Sequence, residues 1–372
     1  MLYLFVLGRD AELSKLEIES LLESKGIEFT IKEDNKNVVV LDCKELNPEI
    51  IHEFGGIIKI AKVFSNSNRI DQIEESFEKT SIYEGTKNKM EYYIDNFNSN
   101  LLSFVEDYLK DYFKSIKLKA LYKKNGDPSK LINKSIIENG INFVIFKSYI
   151  GKVISITNPL ELKKRDLARP EVDYMKVISI RLAKILINIC KVKKNGLLLD
   201  TFCGSGTILQ EALLKGVNVV GLDKDEESIS QANKNINWLI KEFKLNGKFE
   251  IINLDCARLN EKIKDNSVDG VVTEPYMGPF IRKLPNLLQA KDLVFELSNL
   301  YDLLLGNLKK VVKKNGRVVI VIPKFRTMEN KTVFIDFRGL VDKHGFVLAT
   351  KPISYGYKEN KLLREIYVLD KV

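Results

Sequence analysis

Cysteine and histidine are scarce in this chain. Its 372 residues include four cysteines, Cys43, Cys190, Cys203 and Cys256, and two histidines, His52 and His344. The cysteines are scattered, with no C-x-x-C pair. Such spacing argues against a zinc site and offers no disulfide framework, so no metal is expected and the thiols read as free and buried in a reducing cytoplasm. There is no run of 18 apolar residues, which argues against a membrane-spanning helix. The opening segment Met1-Leu-Tyr-Leu-Phe-Val-Leu-Gly8 is apolar but short. It has no basic region before it and meets Arg9-Asp10 at once, so it reads as a first strand and not a signal peptide. No long segment is purely polar, which argues against a disordered chain.

What the chain does have is core material and positive charge. Apolar residues make up 45%, with 19 Phe and 14 Tyr, and the length suits two or three domains. The formal net charge is +9, which favours an anionic partner, nucleic acid being the usual one. A solvated lysine surface is the competing reading of the same number.

The pattern along the chain changes twice. Residues 1–68 read as a small α+β unit. Leu2–Leu7 is a strand, apolar residues from Leu13 to Leu22 repeat at helical spacing, and Val38–Leu41 and Ile57–Val63 are further strands. Residues 69–157 alternate helix and strand. They carry a lysine-rich stretch that includes Lys117, Lys119, Lys123, Lys124, Lys130 and Lys134, and a turn at Asn139-Gly140. Residues 158–180 read as a connector restricted by Pro159 and Pro170. From residue 181 onward, continuous apolar strands alternate with helices, the signature of a mostly parallel sheet covered on both faces. Helices are expected at Thr207–Leu214, Glu226–Lys241, Leu297–Lys310 and Val333–Lys343. The two final strands, Phe346–Lys351 and Arg364–Leu369, are expected to form an antiparallel edge.

The chemistry gathers at the ends of these strands. After Leu197–Leu199 comes Asp200-Thr-Phe-Cys-Gly-Ser-Gly-Thr207, then a helix. This is neither G-x-x-x-x-G-K-[ST] nor G-x-G-x-x-G, which excludes a P-loop and disfavours a nicotinamide cofactor. Gly204 and Gly206 let the backbone approach a ligand where a Cβ would clash. Asp200 can accept from an amino-acid ammonium, and the helix start at Thr207 favours a carboxylate. Asp223 closes the second strand, where it can grip a ribose diol. Asp255, followed by Cys256, closes the third and can accept from an adenine amino group. Each aspartate alone could equally be a helix cap. The fourth strand ends Thr273-Glu274-Pro275-Tyr276-Met277-Gly278. A carboxylate, a proline carbonyl and an aromatic ring in that place can hold an exocyclic base amine and stack on the base.

The loop Asp200–Thr207 resembles the D-P-F-C-G-S-G-T loop of amino-group nucleic-acid methyltransferases. The chain as a whole resembles the THUMP-domain tRNA guanosine N2-methyltransferases. The similarity includes Tyr3–Arg9, Leu13–Ile18, Gly55–Ala61, Arg165-Asp-Leu-Ala-Arg-Pro170 with Asp173, Tyr355-Gly356 and Arg364–Tyr367. It implies a ferredoxin-like domain over 1–68, a THUMP RNA-binding domain over 69–157, a linker over 158–180, and a Rossmann-like domain with a seven-stranded, mostly parallel sheet over 181–372. S-adenosylmethionine is the implied cofactor, with Asp200, Phe202, Gly204, Gly206, Thr207, Asp223, Asp255 and Cys256 at its site. Glu274, Pro275 and Tyr276 are the implied catalytic residues. tRNA is the implied partner in the cytoplasm, with Lys117, Lys119, Lys123, Lys124, Arg165 and Arg169 toward RNA; a small accessory subunit stays open. The sequence departs from the family in three places: Thr201 for Pro in the glycine loop, Glu-Pro-Tyr-Met for Asp-Pro-Pro-Tyr at the fourth strand, and Tyr174–Ala183 for the family's G-M-L-P-P-K-L-A. Methylation of adenine N6 in RNA or DNA, and an inactive RNA-binding relative, are the alternatives.

Overall fold

The computed structural model describes residues 1–124, 140–171, 178–356 and 360–372. Lys130, Lys134, Asn139, Asp173 and Tyr174 lie outside them. The chain divides into two compact units, Met1–Lys163 and Lys164–Val372.

The first unit is built on one sheet. Its strands are β1 (Leu2–Leu7), β2 (Phe29–Asp34), β3 (Val38–Cys43), β4 (Ile57–Asn66), β5 (Lys89–Phe97), β6 (Lys119–Tyr122), β7 (Gly140–Phe146) and β8 (Tyr149–Ile156), in the order β2-β3-β1-β4-β8-β7-β5-β6. Residues 1–68 and 69–157 therefore share a sheet through the antiparallel pairing of β4 with β8. Strand periodicity sorts the side chains. Tyr3, Phe5 and Leu7 of β1 join one core with Ile18, Leu21 and Leu22 of α1 (Ala11–Ser24). Farther along the sheet, Ile94 and Phe143 form another core with Ile73 and Phe77 of α2 (Ile70–Glu78) and Val105, Leu109 and Phe113 of α3 (Leu102–Ser115). Leu4, Val6, Val38, Val40, Phe97, Val144 and Phe146 face the other way and are also buried.

They are buried because the sheet curls. Flat, β2 and β8 would lie about 19 Å apart, four strand spacings. Instead Glu33 of β2 accepts from Tyr149 Oη at 3.3 Å, and Lys147 in the β7–β8 turn also pairs with it. Lys59 of β4 and Asp95 of β5 form an ion pair across the same concave face, both fully buried.

The second unit also has one sheet: β9 (Leu197–Asp200), β10 (Asn218–Asp223), β11 (Phe249–Asn253), β12 (Val268–Thr273), β13 (Val312–Arg326), β14 (Thr332–Phe334), β15 (Phe346–Leu348), β16 (Ile353–Tyr355) and β17 (Leu362–Lys371). The continuous path is β11-β10-β9-β12-β13-β17-β15, with β14 added to β13 and β16 to β17. Among the described residues the sheet has nine strands, seven of them along the continuous path. β9 to β13 run parallel, and β17 lies antiparallel between β13 and β15. The helices are α4 (Pro159–Ala168), which crosses the division between the units, α5 (Ile180–Cys190), α6 (Thr207–Leu214), α7 (Glu226–Phe243), α8 (Leu287–Val311) and α9 (Phe337–Lys343).

Three local expectations change. The connector over 158–180 holds the helix α4, which begins at Pro159, where a missing N–H costs nothing. Helix α8 starts ten residues earlier than Leu297, because Asn286 and Gln289 close a capping box. The segment expected as a helix from Val333 instead pairs Phe334 with Lys324 as β14, and the helix starts only at Phe337, capped by Asp336.

No helix of the described residues is long and apolar enough to cross a membrane, and among them no group of three His, Cys, Asp or Glu could hold a metal ion.

Candidate cofactor and target site

The chain order turns at β9. From β9 the chain builds outward through β10 to β11, then crosses back to add β12 on β9's other side. That reversal opens a crevice beyond the carboxyl ends of β9 and β12. The register places Val271 beside Leu199, so Asp200 and the Thr273-Glu274 pair emerge next to each other. The hydroxyls of Thr201 and Thr273 close the seam at 3.2 Å.

One pocket sits there. Its lining includes Ile178, Asp200, Phe202, Gly204, Thr207 and Glu274, so the glycine loop and the fourth-strand carboxylate share a single cleft. Asp200 is 1% exposed and receives the Phe202 N–H at 3.2 Å. Burial pushes its carboxyl up to about 7; the backbone N–H and the Thr273 hydroxyl oppose the rise, and Asp223 and Glu274 add to it. A buried carboxylate of this kind is relieved by an incoming cation. Gly204 and Gly206 have φ of +50° and +86°, and a Cβ on Gly204 would meet nothing within 4 Å, so that side of the loop is open. Gly206 also starts α6 without a side-chain cap, leaving first-turn N–H groups for an anion.

Asp223, ending β10, braces the loop. Its Oδ2 accepts from Gly204 N at 2.9 Å and its Oδ1 from Asp225 N at 3.0 Å. Asp255 is exposed and caps the 3-10 turn Cys256–Glu261 through Ala257 N at 2.8 Å. The capping reading of this residue is thus the observed arrangement, and Asp255 and Cys256 do not line the pocket. Burial, with Asp255 beside it, pushes the Cys256 thiol up to about 12, so it stays neutral. The donor set fits an S-adenosylmethionine: a buried carboxylate for an ammonium, uncapped N–H groups for a carboxylate, and a strand-end aspartate beside an open glycine for a ribose.

The target side is tied differently. Glu274 accepts from Arg364 Nε of β17 at 3.0 Å, and its side chain is 15% exposed. Burial raises the Glu274 carboxyl while Arg364 pulls it back down. Pro275 is buried. Tyr276 is 47% exposed, and its carbonyl accepts from Tyr301 Oη of α8 at 2.9 Å. The ring therefore stands free while its backbone is held.

Two expected RNA contacts are turned inward. Arg165 donates to buried Glu211 of α6 at 2.6 Å. Arg169 is 6% exposed and donates to Thr207 Oγ1 at 2.8 Å, with Asp166 pairing on its other side. Both guanidiniums are thus directed at α6 and its neighbours in this arrangement. Lys117, Lys119, Lys123 and Lys124 are exposed around the edge strand β6, with Lys123 paired to Glu91 at 3.7 Å.

Two supporting residues have no role assigned by the sequence, although Arg364 opens the family-like segment Arg364–Tyr367. Buried Asn235 of α7 donates to Ser205 O at 3.0 Å and to Glu171 O at 2.9 Å, pinning the glycine loop to the preceding segment. Arg364 is the other. A polar residue on the apolar face of α7, beside Ala232, Ile236 and Leu239, is the signal available for Asn235.

Comparison with known proteins agrees with this geometry. A family described as "RMKL-like, methyltransferase domain" matches residues 171–338, and one described as "DNA methylase" matches residues 54–234. The chain is 27% identical over 276 residues to a tRNA (guanine(10)-N2)-dimethyltransferase of Methanothermobacter thermautotrophicus, covering 72% of this chain and 75% of that one. It is 27% identical over 220 residues to the same-named protein of Methanocaldococcus jannaschii, covering 56% of this chain and 54% of that one. Among solved structures, TrmN from Thermus thermophilus shares the fold over the full length of both chains, with a TM-score of 0.55 at 14% identity. This strand order and this loop agree with the match of residues 171–338 to an RMKL-like methyltransferase domain, and the relatives the chain is similar to are named tRNA (guanine(10)-N2)-dimethyltransferases.

Proposed function

We propose that the protein transfers a methyl group from S-adenosylmethionine to the N2 amine of a guanosine in tRNA, of the position-10 type named for its archaeal relatives. The observation that carries this is the shared pocket, in which Asp200 and Glu274 face one cleft. Asp200 would hold the cofactor's ammonium, the α6 N-terminus its carboxylate, and Asp223 its ribose hydroxyls; Asp255, exposed at the end of β11, would reach the adenine from outside the pocket. The cofactor, when bound, supplies an electrophilic methyl group.

The protein's own part is positioning. Glu274 and the Pro275 carbonyl accept the two N–H groups of the amine, which orients its lone pair toward the methyl. Tyr276 stacks on the extruded base. Arg364 favours the ionised, accepting form of Glu274 against the effect of burial. The first unit, read as ferredoxin-like and THUMP regions, would dock the tRNA, with Lys117, Lys119, Lys123 and Lys124 meeting phosphates.

The test is transfer of labelled methyl from S-adenosylmethionine to unmodified tRNA transcripts, with the product nucleoside identified by mass spectrometry. N2-methylated or N2,N2-dimethylated guanosine is the expected product. N6-methyladenosine would move the target to adenine, and cofactor binding without transfer to any transcript would overturn tRNA as substrate.

A further inference from the structure

The segment that follows Glu274 carries exposed aromatic rings. Phe280 is 72% exposed and Tyr276 47%. Their loop is firmly seated. Gly278 sits against Phe325 of β13 and Leu293 of α8, Tyr301 holds the Tyr276 carbonyl, and Lys361 Nζ donates to Arg282 O at 2.5 Å. Downstream, Met328 N donates to Pro285 O at 3.0 Å, so the β13–β14 hairpin adjoins the same loop. Leaving a phenylalanine ring in water on a loop held at both ends forfeits its burial energy, which argues for a partner that covers it.

Charge identifies the partner. Arg282 and Lys283 follow Phe280 closely, are exposed, and make no ion pair with a described residue; Lys331 and Lys361 flank them, also exposed. Aromatic rings interleaved with unpaired cations suit an anionic strand with flat bases, where stacking and phosphate contacts act together. The neighbouring exposed apolar side chains on α8, Leu288 and Phe295, have a different setting. They share their helix with Asp292 and Glu296, whose charge would repel phosphate.

We propose that the loop 276–283 is a single-strand platform, on which Phe280 stacks against a nucleobase flanking the methylated one while Arg282 and Lys283 hold the adjoining phosphates. This rests on the reading of the protein as an RNA methyltransferase. It adds a subsite outside the cofactor and amine contacts, and it makes local unpairing of the RNA around the target base a condition for productive binding.

The experiment uses the full-length protein with tRNA transcripts carrying 5-iodouridine near the target. Irradiation is expected to cross-link RNA to the peptide containing Phe280. F280A is expected to lower kcat/KM about tenfold, the loss carried by KM for RNA, with F280W restoring most of it. R282A and K283A together should reduce the salt slope of RNA binding by about one. Cofactor affinity by calorimetry checks that each variant is folded. A KM unchanged in F280A would overturn the platform. If wild-type protein transfers nothing to tRNA, the functional reading fails by itself, and the cross-link still decides: RNA at 276–283 supports the platform, whereas no cross-link there, or self-association that F280A abolishes, makes the loop a protein interface and overturns it.

Discussion

The two halves of the crevice are assembled in opposite ways. On the cofactor side, the contacts that shape the loop backbone come from nearby in the chain: Phe202 to Asp200 two residues apart, Gly204 to Asp223 nineteen apart, Ser205 to Asn235 thirty apart, with the longer reaches made behind it by Arg165 and Arg169. On the target side, Glu274 is held by Arg364, ninety residues away, and Tyr276 by Tyr301 across a different element. A site made from a strand, its loop and the next strand is nearly a local motif. A site made by bringing together β12, α8 and β17 depends on the whole sheet. Departures occur in both halves: Glu274 and Met277 lie in the second, while Thr201 lies in the glycine loop itself, where its hydroxyl meets that of Thr273.

The comparison makes the largest effect a cofactor-side one. Asp200→Ala removes the buried carboxylate facing the pocket. Deleting one member of a buried charge pair costs enough to weaken binding about a hundredfold or more. Calorimetric titration with S-adenosylmethionine should show it, and an affinity close to wild type would remove Asp200 from the cofactor site. Glu274→Ala is the matching break on the other side. It should lower turnover about a hundredfold, the usual scale for removing a charge-stabilising group, and spare cofactor affinity. Equal losses in both would mean the halves are not separable.

Charge reversal of Lys117, Lys119, Lys123 and Lys124 comes next. If these four cations meet phosphates as proposed, losing them should flatten the dependence of RNA binding on salt by a slope of about three. An unchanged slope would leave these lysines a solvated edge.

The titration of Asp200 should give a smaller effect on the cofactor side. Its carboxyl is raised to about 7, so the ionised form that an ammonium needs is the minority at pH 6 and the majority at pH 8. Cofactor affinity should improve about tenfold over that interval, while the same group's contribution to the stability of the free protein is present at low pH and lost as pH rises through 7. In Asp200→Asn the pH dependence should vanish. A flat profile in the wild type would show that the carboxyl is already ionised at pH 6.

How much of this was legible in the sequence follows from the same difference. The glycine loop, α6 at Thr207–Leu214 and β12 at Val268–Thr273 are continuous apolar runs with their turn residues beside them, and their bounds can be read directly. Asp223 and Asp255 look equivalent as strand-ending aspartates, yet only Asp223 braces the loop while Asp255 caps a turn; the distinction depends on where β11 ends relative to β10. Arg165 and Arg169 read as free cations in a polar connector. Their burial against Glu211 and Thr207 exists only once α4 lies near α6, and no local pattern encodes that. The curl of the first sheet, which hides Leu4, Val6 and Val144, brings Glu33 of β2 to Tyr149 of β8, strands far apart in the chain.

Arg364 provides the finest test of the divided site. It donates to Glu274 from β17, and the groups that act on that carboxyl or respond to it are Arg364, Asp200 and Tyr301. Burial pushes Glu274 up and Arg364 opposes the push. In Arg364→Met the opposition is gone, so the carboxyl should rise further and the acid limb of the kcat profile should move to higher pH. The expected loss is at most about tenfold near the acid limb and shrinks toward alkaline pH, because raising the pH re-ionises Glu274. Arg364→Lys should restore part of the shift, since it keeps the charge but not the planar fork. Cofactor affinity should barely change, as the guanidinium acts on the target half alone. A loss in Arg364→Met that is uniform across pH would mean the arginine only braces β12 against β17, and an equal loss of cofactor binding would mean the two halves of the crevice are one coupled unit.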